Sequence, residues 1–318
     1  MTQAFEGIFN ILATPFNADG AVDTASLRHL VNFQLDRGAM GLTILGVLGE
    51  AGKLTLKERR DVMDTVMEAN NGRVPVIVGT SHEQADSRIF LSQKALEAGA
   101  SGVMIAPPRM SKPPDEEIIA LYAQVAAAVP IAIIVQDFPP VNGITMTPKM
   151  LAHLAEQIPQ ARTLKLEDPP LMEKITAVKA LSPHWAIFGG LGGMFLLEEL
   201  HRGAAGTMTG FAFTEVLIAV YTAYRAGDSE RAAAIFDRYL PLIRYENQPG
   251  INLTIRKELL YRRKAIAHPA LRQSSMVLTP ETHAELTQVL QRVGISDAAL
   301  PLNFDQQGDT APEAASGE

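Results

Sequence analysis

Arg162-Thr163-Leu164-Lys165-Leu166-Glu167-Asp168 alternates with period two, and the reading of this stretch decides the fold. Successive side chains on a β-strand point to opposite faces, so Leu164 and Leu166 share one face while Thr163, Lys165 and Glu167 share the other. Such a strand suits a closed barrel. The leucines meet an outer layer of helices, and the charged residues turn inward at the C-terminal end of the strand, where barrel active sites are built. An ammonium buried without a partner costs several kcal/mol. A lysine in that place is therefore paired, uncharged or used covalently.

Working outward, seven more short β-rich apolar runs occur at residues 8–13, 42–45, 75–78, 102–106, 131–135, 185–188 and 206–208, with the first strand pattern at 162–166 as the sixth in order. Each is followed by an amphipathic helix signal, the way parallel strands joined by crossover helices read. Asp23-Thr24 opens one helix, Thr55 with Glu58 forms a capping-box pattern, and Thr147-Pro148 sets Pro in a first turn. Gly38, Gly99 and Gly203 stand where a left-handed cap would end a helix before the next strand. The spacing predicts an α/β protein, a (β/α)₈ barrel over residues 1–210. An open doubly wound sheet is the competing layout, but no Gly-x-Gly-x-x-Gly turn follows a strand. Past Met208 the pattern changes to helices at 215–225, 228–244, 251–263 and 280–293 with no strand between them, a C-terminal α-helical extension over 211–303. Residues 304–318, without periodicity and rich in Gly, Ala, Pro, Ser and acids, read as a disordered tail.

Composition narrows the functions. The chain has 318 residues, a net charge of −7 and no cysteine, which excludes disulfides, thiol nucleophiles and Cys-ligated metals. The basic clusters Arg59-Arg60 and Arg262-Arg263-Lys264 fall in helical patterns as solvated faces, so nucleic acid is not an expected partner. No basic leader opens the chain, and no run approaches the roughly 18 uncharged apolar residues of a membrane span. A cytoplasmic setting is expected. The histidines show no metal spacing, and no metal is expected.

A second motif supports the lysine. Gly46-Val47-Leu48-Gly49-Glu50 follows the second strand and precedes Leu54-Thr55 with Glu58-Arg59-Arg60, and Thr14-Pro15-Phe16 follows the first strand. A tight turn ahead of a helix presents unpaired N–H groups to an anion, although a plain turn has the same sequence. Together with Lys165, these segments over about residues 5–295 resemble the dihydrodipicolinate synthase / N-acetylneuraminate lyase family. The resemblance implies a Schiff-base lyase of the class I aldolase type, in which Lys165 forms an imine with a small 2-oxo acid. It also implies that the main chain of Val47 and Leu48 holds the substrate carboxylate, that no cofactor is needed beyond the covalent imine, and that the chain forms a homo-oligomer, tetramer or dimer.

The sequence departs from the synthases of that family where their proton relay would lie. Val47 replaces the first threonine of the turn, Pro107-Pro108-Arg109 replaces a Pro-Tyr-Tyr segment, Gln136-Asp137-Phe138-Pro139 replaces Tyr-Asn-x-Pro, and Val141 aligns with a substrate-binding arginine. These segments, Thr80-Ser81-His82, the Lys165 and Glu167 pair and Glu246-Asn247-Gln248 look more like the family's 2-keto-3-deoxy sugar-acid dehydratases. Glu167 and Gln136 are the expected catalytic partners of Lys165. Arg109, Gly189, Gly190, Met208, Asp137 and His82 are the expected substrate-binding residues. Each has a structural reading beside it: Glu167 as a mere counter-ion, His82 as a loop cap, Arg109 as a surface or subunit contact, Met208 as core, the glycines as a flexible loop. Dehydration and aldol cleavage stay open. The alternatives are 4-hydroxy-tetrahydrodipicolinate synthase and a barrel that binds a 2-oxo acid without turning it over.

Overall fold

The computed structural model describes residues 4–274 and 276–304. Eight parallel strands, β1 (Gly7–Ile11), β2 (Gly41–Ile44), β3 (Val76–Gly79), β4 (Gly102–Ile105), β5 (Ala132–Asp137), β6 (Ala161–Leu166), β7 (Ala186–Gly189) and β8 (Gly206–Thr209), close in sequence order, with β8 pairing back to β1. The expected barrel is thus the observed one. Strand bounds shift by a residue or two, and one shift matters for the site. The ladder between β5 and β6 runs on through Gln136 and Asp137, which pair with Lys165 and Leu166, so β5 extends past the apolar run that betrayed it.

The outer layer consists of α1 (Thr24–Asp36), α2 (Leu56–Asn70), α3 (Ala85–Glu97), α4 (Asp115–Ala128), the single turn α5 (Pro139–Asn142), α6 (Pro148–Gln157), α7 (Leu171–Leu181) and α8 (Leu196–His201). The capping signals act as read. Asp23 accepts from the Ser26 N–H, Thr55 and Glu58 make a reciprocal capping box, and Thr147 accepts from the Met150 N–H. After β8 come α9 (Thr214–Arg225), α10 (Ser229–Glu246), α11 (Asn252–Arg262) and α12 (Pro280–Arg292). α9 packs against β1 and α8, closing the helical ring, and α10 packs on α9. The stretch read as a tail lies outside the described residues except for Phe304, whose ring meets that of Tyr239 edge-on.

Two apolar clusters divide the interior. Ile8, Leu42, Val78, Leu164, Leu166 and their neighbours fill the space between strands and helices. Phe9, Ile11, Ile77, Met104, Ile134, Phe188 and Met208 fill the lumen. A packed lumen leaves room for a ligand only at its C-terminal mouth. Among the described residues no helix is long and apolar enough to cross a membrane.

Candidate active site

Ladder register assembles the site before any side chain is considered. Gln136 on β5 stands abreast of Lys165 on β6, and Lys165 abreast of Phe188 on β7. Because Ile134 faces the lumen while Val135 and Leu164 face the helices, alternation turns Gln136 and Lys165 inward and Asp137 outward.

Lys165 Nζ lies 2.8 Å from Glu167 Oε2, with both side chains about 95% buried, at 5% and 6% exposure. Gln136 Nε2 donates to the same oxygen at 3.1 Å, and the Leu191 N–H donates to Oε1 at 3.3 Å. The carboxylate is held on both oxygens while it touches the amine, the geometry required of a proton acceptor that serves that amine.

A cavity of about 430 Å³ opens over this pair. Its walls include Val47, Leu48, Gln136, Phe138, Met208 and Thr209. In the turn after β2, the N–H groups of Gly49 and Ala51 bond to the Gly46 carbonyl and that of Glu50 to the Val47 carbonyl. Among the described residues no acceptor engages the N–H groups of Val47 and Leu48, so two peptide donors are available at the cavity wall for an anion. Glu50, the acid that closes this turn, stays out of the cavity. It adopts φ 53° and is buried, accepting from Lys257 Nζ at 2.7 Å, Lys53 Nζ at 2.9 Å and the Arg272 N–H at 3.1 Å. Burial pushes the Lys257 ammonium down to about 8, with Glu50 pulling the other way.

The glycines after β7 serve a purpose other than the expected one. A Cβ on Gly190 would sit 2.2 Å from Glu167 Oε1, and one on Gly189 would sit 1.8 Å from Glu199 Oε2. Their missing side chains make room for two carboxyl groups. Leu191 and Gly192 line the cavity, and Gly189 and Gly190 do not. Asp137 also departs from expectation as a substrate ligand. Strand alternation points it away from the lumen, where Lys174 Nζ lies 2.5 Å from it and 2.6 Å from Asp168. Burial pushes the Asp137 acid up to about 6 against the pull of Lys174. It is a strut behind β5 and β6.

His82 and Arg109 lie in an adjoining cavity of about 370 Å³, which shares Gly46, Val47, Met104, Gln136 and Phe138 with the inner one. They stand at the outer end of one continuous cleft and do not line the inner space at Lys165. His82 Nδ1 accepts from the Gln84 N–H at 3.1 Å, and Arg109 donates to the Val141 carbonyl at 3.2 Å. Met208 is both things at once, fully buried in the lumen cluster and part of the cavity wall.

Sequence reasoning missed the roof. Asn247, Pro249, Asn252, Leu253 and Arg256, from the corner between α10 and α11, close the cavity from above. Asn247 Nδ2 donates to the Leu191 carbonyl at 2.9 Å, holding the residue whose N–H bonds Glu167. Arg256 Nε lies 2.6 Å from Glu246 Oε1, whose other oxygen accepts from the Ala212 N–H. The run Glu246-Asn247-Gln248 stood out in the sequence, but helix periodicity carries no information on which distant loop a helix corner covers. Among the described residues no group of three or more His, Asp or Glu is placed to hold a metal ion.

Comparison with known proteins adds the family context. Residues 4–299 match the dihydrodipicolinate synthetase family. The chain is 35% identical over 298 residues, covering 92% of it and 96% of the relative, to an L-2-keto-3-deoxyarabonate dehydratase of Azospirillum brasilense. It is 28% identical over 247 residues to a probable 2-dehydro-3-deoxy-D-pentonate aldolase, YjhH, of Escherichia coli K12, covering 76% of this chain and 81% of that one. The crystal structure of a dihydrodipicolinate synthase from Rhodopseudomonas palustris superposes with a TM-score of 0.86 at 36% identity, covering 91% of this chain and 97% of that one.

Proposed function

Because this chain belongs to the dihydrodipicolinate synthetase family and is a lyase, we propose that it dehydrates a 2-keto-3-deoxy sugar acid through an imine on Lys165. The observation that carries the proposal is the contact of Lys165 Nζ with a Glu167 carboxylate fixed by Gln136 and Leu191 inside a roofed cavity.

Glu167 takes a proton from the Lys165 ammonium, and the free amine attacks C2 of the substrate while the N–H groups of Val47 and Leu48 hold the C1 carboxylate. The carbinolamine oxygen takes the proton back and leaves as water. The resulting iminium draws electrons from C3. Glu167 removes a C3 proton and returns it to the C4 hydroxyl, which departs as water and leaves a double bond between C3 and C4. Hydrolysis of the imine frees the lysine. The imine is the electron sink, so the reaction calls for no metal or organic cofactor. Asn247 and Asn252 in the roof are the polar groups suited to the substrate hydroxyls.

Cleavage between C3 and C4 is the competing outcome, supported by the likeness to the pentonate aldolase. It requires loss of a proton from the C4 hydroxyl, where dehydration requires a gain. Condensation of pyruvate with aspartate semialdehyde fits less well, since Val47, Arg109 and Gln136 stand where the synthases carry their relay. The absence of cysteine fits a reducing cytoplasm, and a homo-oligomer belongs to the same proposal.

Borohydride added with pyruvate should attach one reduced pyruvyl unit at Lys165, located by peptide mass, and Lys165→Ala should abolish it. An unchanged mass at Lys165 overturns the proposal. With 2-keto-3-deoxypentonates, loss of water without release of pyruvate is expected; pyruvate release would favour aldol cleavage.

A further inference from the structure

Glu199 on α8 has no part in the steps above, yet its setting is unusual. It is 1% exposed, its Oε2 has no hydrogen-bond partner, and no described cation pairs with it. A buried carboxyl without a partner is costly when charged. Its carboxyl occupies the space of the missing Gly189 side chain, just as the Glu167 carboxyl occupies that of Gly190. Two acids therefore flank adjacent glycines at the end of β7, one inside the barrel mouth against Lys165, one beneath α8.

We propose that Glu199 is a positioning residue that acts through Glu167: uncharged while the site works, it becomes on ionising a second anion behind Gly189 and Gly190 that tightens the hold of Glu167 on the Lys165 ammonium. This inference rests on the imine reading of Lys165. Burial pushes the Glu199 acid up to about 8, and the charges of Glu167 and Glu198 add to the rise. Several charged groups on the elements packed around α8 are engaged elsewhere. On α7, Lys174 is bound by Asp137 and Asp168, and Lys179 donates to the Pro183 and Trp185 carbonyls. On α9, Glu215 pairs with Arg263 and Arg225 with Glu6; on α10, Glu246 pairs with Arg256 and Arg238 donates to the Val293 carbonyl. β8 carries no charge, and His201 on α8 itself packs on the Tyr224 ring. Among the described residues no cation acts on Glu199, whose ionisation is opposed by burial and by the neighbouring charges of Glu167 and Glu198.

The test follows pyruvate adduct formation at Lys165 from about pH 6 to about pH 10 in the full-length wild type and in Glu199→Gln, whose amide copies the uncharged acid. The wild type should show an inflection near the Glu199 titration that the variant lacks. The gain between neutral and alkaline pH should be about threefold or more larger in the variant, as expected for one added charge at close range. Superimposable profiles overturn the inference while leaving the imine intact; no adduct in either protein at any pH overturns the imine reading instead. A purely packing role would shift stability without moving the inflection. Should Glu199→Gln fail to fold, the infrared spectrum of the wild type decides. A carbonyl band of a buried protonated acid that bleaches as pH rises through about 8 supports the inference, and its absence at neutral pH overturns it.

Discussion

One methyl group at Gly190 would contest the volume held by Glu167 Oε1, so the conformation of that carboxylate depends on a residue that makes no polar contact with it. Overpacking of this kind costs about 1–3 kcal/mol, and a displaced acceptor loses its reach to the amine. Gly190→Ala should lower the unfolding free energy measured in urea by that amount and slow borohydride trapping at Lys165 about tenfold or more; trapping at the wild-type rate would mean that Glu167 is not needed where it sits. Period-two reading found Lys165 and Glu167 because β6 announces its faces through Leu164 and Leu166. Asp137, expected at the substrate from the resemblance, faces the other way: the polar end of β5 has no apolar pattern to show that the strand continues, and alternation sends Gln136 in and Asp137 out. The glycines were expected at the substrate; the groups they make room for come from the end of β6 and from α8.

At the scale of elements, the turn after β2 and helix α11 depend on each other through Glu50 and Lys257, both nearly unexposed. Without Lys257 the buried Glu50 carboxylate falls back on the part-exposed Lys53 ammonium and the Arg272 N–H, a weaker compensation. Lys257→Met should destabilise the protein by about 3 kcal/mol, and it should raise the pyruvate concentration that half-saturates adduct formation, because the loosened turn carries the N–H groups of Val47 and Leu48. Combining it with Glu50→Gln should recover part of the stability, measured by denaturant unfolding; a double variant as unstable as the sum of the two singles would mean the pair is not coupled. Strands and helices were legible because hydrophobic periodicity and capping residues are local signals. The coupling of this turn to α11 was not, since it joins residues 207 positions apart and leaves no mark on either segment alone.

Over the whole molecule, buried acids set how stability responds to pH. Burial raises the Asp137 acid to about 6 and the Glu199 acid to about 8, and it raises Glu246 too. In each case the folded state keeps a proton that the unfolded chain has released. Their favourable contribution is complete below the unfolded carboxylate range and is lost as pH climbs through the folded values. Lys257 has the opposite sense. Lowered to about 8, it gives up its proton in the folded state first, so its contribution grows only above that value. Unfolding midpoints should therefore fall between about pH 5 and about pH 8 by the equivalent of a few kcal/mol, and the fall should be shallower in Glu199→Gln. Parallel curves for the two proteins would show that Glu199 is ionised in the folded state throughout. The roof has a consequence for synthesis of the chain. A ribosome that has released all eight strands has delivered the lysine without a ceiling over it and Glu50 without the cation from α11. Competence arrives late in translation, once the stretch ending at Arg256 and Lys257 has emerged and folded back, so a prematurely terminated product would be a barrel that cannot shelter its own reaction.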